Sequence, residues 1–148
     1  IKILKKIKEM KLDRGTKNFQ PSNLEITKIN IDNQADNVIP GSADAVFNIR
    51  FNNKHSSTSL KRKLNAIFKS ISKKAKCRFN IKYEVSGEAF LSKPNKTTFM
   101  IQNTIKKITK IKPKLSTAGG TSDARFIRKI SPSLEFGLVG KTMHKIDE

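Results

Sequence analysis

Two stretches of this chain carry residue types suited to holding a carboxylate. In Leu115-Ser-Thr-Ala-Gly-Gly-Thr-Ser-Asp-Ala-Arg-Phe126, Gly119 and Gly120 lack a Cβ, so backbone can come close to a ligand there. Thr121, Ser122 and Asp123 then offer N-cap chemistry for a helix running through Arg125, Phe126 and Ile130. Free N–H groups and hydroxyls at a helix start attract carboxylates. The second stretch ends at Arg50, whose planar fork matches a carboxylate in two hydrogen bonds. Read alone, Arg50 is a solvent-facing strand residue. Asn37 in Asn37-Val-Ile-Pro-Gly41 reads as a turn residue before an extended Pro segment, and Ser86-Gly87 as a hinge. The histidines are His55, which reads as a solvated loop residue, and His144, a lone imidazole that spacing by itself does not make a ligand.

The elements that must position these residues follow from periodicity. Ile3, Leu4, Ile7 and Met10 form a helical stripe over 1–12 with Lys on the other face. Asp13-Arg14-Gly15 ends it, with Gly15 as C-cap. A Lys-rich amphipathic helix can lie on a membrane, but a surface helix packed on a sheet is the commoner arrangement. Leu24 to Ile31 is rich in β-branched residues and predicts a strand, and Asn33 to Asp36 is turn chemistry. In Ser42–Phe51, Ala43, Ala45, Phe47, Ile49 and Phe51 alternate with polar residues, a half-buried strand broken only by Val46. A short turn is expected between the two.

Ser56 to Thr58 can cap a helix striped with Leu60, Leu64, Ile67, Phe68 and Ile71, closed by the basic Lys73, Lys74 and Lys76. Phe79, Ile81, Tyr83 and Val85 alternate against polar neighbours and predict a strand over Cys77–Val85. Ile101, Ile105 and Ile108 predict a helix over 96–110, stopped by Pro113. Short strands are expected at Lys114–Thr117 and Leu134–Phe136, each delivering a loop with candidate site residues.

Composition excludes several classes. No apolar run approaches the roughly 18 residues of a membrane span, and no signal-peptide core stands at the N-terminus. Cys77 is the sole cysteine, so neither an intrachain disulfide nor a cysteine-based zinc cluster is available. The formal charge of +19 raises the question of nucleic-acid binding. The basic residues are mostly Lys, spread along the chain between Ile and Asn, with no recognition motif. Solvated Lys faces, and no specific nucleic-acid or membrane partner, are the reading.

The 115–126 run, with Pro132, Glu135-Phe-Gly137 and Thr142-Met-His-Lys-Ile-Asp-Glu148, resembles the signature of the succinyl-diaminopimelate desuccinylases. These belong to the dizinc amidohydrolase and metallopeptidase superfamily. Asn37-Val-Ile-Pro-Gly41, Arg50, and Asp13 and Gly15 with Pro21 match further along the chain. The resemblance implies an α/β fold with an α+β lid. Residues 1–86 would be a partial β-α-β-β-α-β lid, or dimerisation, domain lacking its first strand. Residues 87–148 would be the C-terminal segment of a zinc-peptidase-like α/β catalytic domain.

It also implies hydrolysis of N-succinyl-LL-2,6-diaminopimelate to succinate and LL-diaminopimelate in the bacterial cytoplasm, for lysine and cell-wall synthesis. By resemblance, Asn37, Arg50, Ser86, Gly120 and Thr121 bind substrate, Asn37 reaching the partner's site across a homodimer made by the lid. His144 is the last zinc ligand. Two zinc ions (cobalt possible) would lie about 3.5–4 Å apart. Their remaining ligands and the general-base Glu belong to the segment before Ile1, so no catalytic residue is expected within the chain. Gly140 stands where the family often has a substrate-contacting Asn, which leaves an acetyl-ornithine-type deacylase as the sister alternative. The chain is expected to be a portion of a longer enzyme, inactive and poorly soluble or domain-swapped alone. A non-catalytic remnant of a split gene is the alternative of another class.

Overall fold

The structure is a computed structural model that describes residues 2–33, 35–117 and 122–137. These form two compact units, one of residues 2–90 with 116–117 and one of residues 91–115 with 122–137. Among the described residues the architecture is mixed α/β, with four helices and one two-stranded sheet. No helix among the described residues is long and apolar enough to cross a membrane.

The first unit contains α1 (Lys2–Lys8), β1 (Asn23–Asn30), β2 (Asp44–Arg50) and α2 (Ser57–Ala75). The strands pair antiparallel from Asn23↔Arg50 to Asn30↔Asp44, with a bulge between Ile26 and Lys28. Leu24 opposite Ile49 and Ile26 opposite Phe47 supply the inner face. Val46, which breaks the alternation in sequence, is 54% exposed. The connection between the strands runs through residues 31–43, longer than the short turn expected, because Asn33 folds it back on itself. Its amide nitrogen donates to the carbonyls of Ala35 and Val38, at 2.9 and 2.8 Å.

The α2 helix begins at a capping box, Ser56 and Ser59 exchanging side-chain and backbone bonds. It ends at Lys76 in a left-handed conformation (φ 50°), which turns the chain back along the helix. The core lies between α1, α2 and the sheet: Ile7, Leu24, Leu64 and Phe68 are buried together. Phe79, Ile81 and Tyr83 pack against that cluster. Phe68 and Phe79 stack with ring centroids 5.2 Å apart, and the Tyr83 hydroxyl donates to Asn65 at 3.0 Å.

The second unit holds α3 (Lys96–Thr109) and α4 (Ala124–Ile127). A capping box of Asn95 and Thr98 starts α3, and Lys110 closes it in the left-handed region. Gln102 donates to the Pro113 carbonyl at 2.7 Å, tying the following segment to the helix.

Four expectations are corrected. The first helix stops at Lys8, so Gly15 is not its C-cap. Gly15 instead occupies the left-handed region (φ 82°) within a separate turn. Phe79, Ile81 and Tyr83 keep their alternating burial, but Cys77–Val85 forms no ladder with any described residue, so the third strand expected of the partial lid is not present among them. A strand needs a neighbour to supply its hydrogen bonds; the apolar pattern alone docks this segment on α2. Lys114–Thr117 and Leu134–Phe136 are likewise not in strands. The helix expected through Ile130 ends at Ile127, and Ile130 is 89% exposed, so apolar spacing there does not correspond to a buried face.

Candidate functional site

Arg50 is the last residue of β2, exposed on the outer face of the sheet opposite Asn23. Its neighbours Ile49 and Phe51 point the other way and are half-buried. The period-two alternation therefore delivers the guanidinium to solvent while its strand is held by the core. Asn37 is exposed in the turn of the connecting loop. That loop lies beyond the Asn30↔Asp44 end of the ladder, and Arg50 closes the opposite end. At about 3.3 Å per strand residue, the six steps from Asp44 to Arg50 span roughly 20 Å. The two residues are not brought together within one chain. Ser86 is exposed, in the segment after the α2-docked stretch. Gly120, Thr121 and His144 lie outside the described residues.

Ser122, just after the glycine run in sequence, meets Glu135. The Ser122 hydroxyl donates to the Glu135 carboxylate and accepts from the Ala124 N–H at 3.0 Å. Asp123 stands at the N-cap of α4 but makes no side-chain capping bond; Ser122 takes that role.

A polar junction with little sequence signal of its own includes Asn52, two residues after Arg50. Asp13, with its side chain 5% exposed, accepts from the Gly15 N–H at 2.6 Å and from the Asn52 amide at 2.7 Å. It also accepts from the Ser22 N–H at 3.2 Å and faces His55 Nε2 at 3.1 Å. An ionised carboxylate only accepts, so Nε2 is the protonated nitrogen of His55. Burial by itself would raise the Asp13 pKa. Hydrogen bonds from Ser22, the Gly15 backbone and Asn52 outweigh it and hold the carboxyl well below the usual carboxylate range.

Asn52 is 3% exposed. Besides Asp13 it donates to the Gln20 carbonyl at 3.0 Å, and its side-chain oxygen accepts from the Lys54 N–H at 2.9 Å. Its own N–H donates to the Ser22 hydroxyl at 3.0 Å. Two segments that are far apart in sequence, 13–22 and 52–55, thus meet on one buried carboxylate. His55 is corrected from a solvated loop residue to a half-buried member of this junction. Just beyond, the Ser57 N–H at the start of α2 donates to the Glu88 carboxylate at 3.1 and 3.2 Å, an anion at the positive helix end. In sequence, the only signal for the junction was Asp13 and Gly15 two residues apart; nothing linked them to Asn52 and His55.

Among the described residues no group of three or more His, Cys, Asp or Glu side chains is placed to hold a metal ion. The described residues therefore do not by themselves fit a metal centre.

Residues 1–76 match the model of the peptidase dimerisation domain, just over half of the 148-residue chain. The chain belongs to that family. Among proteins, it is similar over its whole length to the succinyl-diaminopimelate desuccinylase of Pelagibacter ubique (strain HTCC1062), at 76% identity. The proteins of that name from Rickettsia bellii (strain RML369-C) and Parvibaculum lavamentivorans (strain DS-1 / DSM 13023 / NCIMB 13966) are 45% and 46% identical, again over the full chain. The chain spans 38% of the length of each of these relatives.

Proposed function

We propose that this chain is part of a succinyl-diaminopimelate desuccinylase, a metal-dependent hydrolase that cleaves N-succinyl-LL-2,6-diaminopimelate to succinate and LL-diaminopimelate. The observation that carries the reading is the 76% identity over all 148 residues with a relative of that name. Residues 1–86 are the dimerisation lid and 87–148 a segment of the catalytic domain, and the lid joins two copies in a homodimer working in the bacterial cytoplasm. Arg50 binds a substrate carboxylate. Its exposure at the end of a strand anchored by the core supports that role, since an Arg fork gains most from a carboxylate when its backbone is fixed.

Asn37 reaches the active site of the partner copy across the lid dimer; its place beyond the end of the ladder remote from Arg50 supports separate roles for the two. Ser86, Gly120 and Thr121 complete the substrate contacts and His144 ligates zinc, with cobalt as the other candidate metal. The rest of the metal centre and the general-base Glu come from residues other than those of this chain.

The test is hydrolysis by the whole protein, metal-loaded and after chelation, with N-succinyl-LL-diaminopimelate compared against N-acetylornithine. Metal-dependent release of succinate with at least tenfold preference over the acetyl substrate is expected. Preference for N-acetylornithine would replace this reading with a sister deacylase, and absence of turnover on both would leave a non-catalytic remnant.

A further inference from the structure

We propose that Asp13 is a positioning residue for Arg50. The junction it makes with Ser22 and Asn52 fixes the end of β2, and so fixes where the Arg50 guanidinium meets a carboxylate ligand. The proposal rests on the reading of Arg50 as a carboxylate-binding residue.

The geometry points this way because the sheet ends where it is needed most. Arg50 and Asn23 are the last ladder pair, and strand ends fray when nothing holds the chain beyond them. Here the next residue on the β1 side is Ser22 and the second on the β2 side is Asn52. The Asn52 N–H donates to the Ser22 hydroxyl, so a side chain continues the pairing one step past the ladder. Both residues are then bound to the same carboxylate, Ser22 through its N–H and Asn52 through its amide. His55 and Gly15 fill its remaining positions. Asp13 is nearly inaccessible and offers nothing to a ligand directly. It is instead an internal anion that four donors from separate segments converge on, and Arg50 is attached two residues from the most buried of them. An arginine on a two-stranded sheet would otherwise move with a loose strand end. A displacement of about 1 Å at a substrate-orienting residue costs up to a hundredfold in rate.

The experiment is a double-mutant cycle on the whole protein, reading kcat/KM for N-succinyl-LL-diaminopimelate with KM and kcat separately resolved. Arg50→Ala is expected to lower kcat/KM roughly tenfold to a hundredfold, the value of a charge-assisted contact. Asp13→Asn is expected to lower it about fivefold to twentyfold, mainly through KM, and to cost less than about twofold once Arg50 is already Ala. Ser22→Ala keeps the carboxylate but removes the acceptor of the Asn52 N–H together with the Ser22 hydroxyl's own hydrogen bond to Asp13. It is expected to give a smaller loss, about twofold to fivefold, that also vanishes in the Arg50→Ala background, and it carries the cycle if Asp13→Asn does not fold.

A purely structural role for Asp13 predicts the same fold-loss in both backgrounds, and that result overturns the proposal. So does a full kcat/KM in both Asp13→Asn and Ser22→Ala. If Arg50→Ala itself leaves kcat/KM unchanged while the wild type turns over, the carboxylate reading of Arg50 has failed and the proposal falls with it. Absence of wild-type turnover points instead to failure of the assigned activity; the cycle is then read from succinate affinity by calorimetry, where equal losses in both backgrounds again overturn it.

Discussion

Asp13→Asn also makes a sharp prediction about stability. The substitution keeps the size of the side chain but removes its charge and turns an NH2 group toward some of the four donors now served by two oxygens. Each hydrogen bond to a buried charged acceptor contributes about 1.5–3 kcal/mol, less when several share one group. The amide oxygen of Asn recovers part of this. A net loss of about 2–4 kcal/mol near neutral pH follows, a large fraction of a small domain's stability.

The pH dependence gives the reasoning its edge. The folded-state pKa of Asp13 is depressed, so its contribution is fully present above the unfolded value of about 3.9. It is lost as pH falls from there through the folded value. The assay is urea denaturation of wild type and variant followed by far-UV circular dichroism, at pH steps from 8 to 2.5. The gap between them should be constant from pH 8 to about 5 and close progressively below pH 4. All other carboxylates titrate in both proteins and cancel in the difference. A gap that stays unchanged down to pH 2.5, or no gap at pH 7, would refute the account of Asp13 as an ionised, multiply bonded group.

Leu64→Ala should cost about 2–5 kcal/mol, measured by the same denaturation, because Leu64 is 2% exposed at the centre of the Ile7, Leu24 and Phe68 cluster. A loss under about 1 kcal/mol would mean that α2 is not docked as described. Gly15→Ala should cost more than about 1 kcal/mol, since Gly15 has φ 82° and an added Cβ would lie 2.8 Å from the Phe19 carbonyl oxygen. Unchanged thermal stability of that variant would show that the turn relaxes freely.

Periodicity reached the helices and the hairpin because those patterns are local. The stripe of Leu60, Leu64 and Phe68 is one face of a helix wherever that helix ends up, and Phe47 with Ile49 alternates whether or not a second sheet exists. It did not reach what requires a partner. The alternation of Phe79, Ile81 and Tyr83 is real, yet burial against a helix and burial in a sheet leave the same mark on sequence. His55 was misplaced for the opposite reason. Loop composition says polar, and the carboxylate that draws the ring inward stands 42 positions earlier. Arg50 was placed correctly on an exposed strand face, since parity alone decides that. The carboxylate role assigned to it came from resemblance.

The reversal at Lys76 has a consequence for the order of folding. It lays the 77–85 segment back along the helix just completed, so that Tyr83 meets Asn65 after a loop of 18 positions. The Asp13 junction has to close 39 to Asn52 and 42 to His55. Loop-closure entropy alone disfavours the longer closure by only about 0.8 kcal/mol, but the junction also requires β1 and β2 to be in register first. The helix with its returning segment is therefore expected to form before the Asp13 junction closes. On that order the strand end bearing Arg50 would be fastened only after the helix and the hairpin are in place.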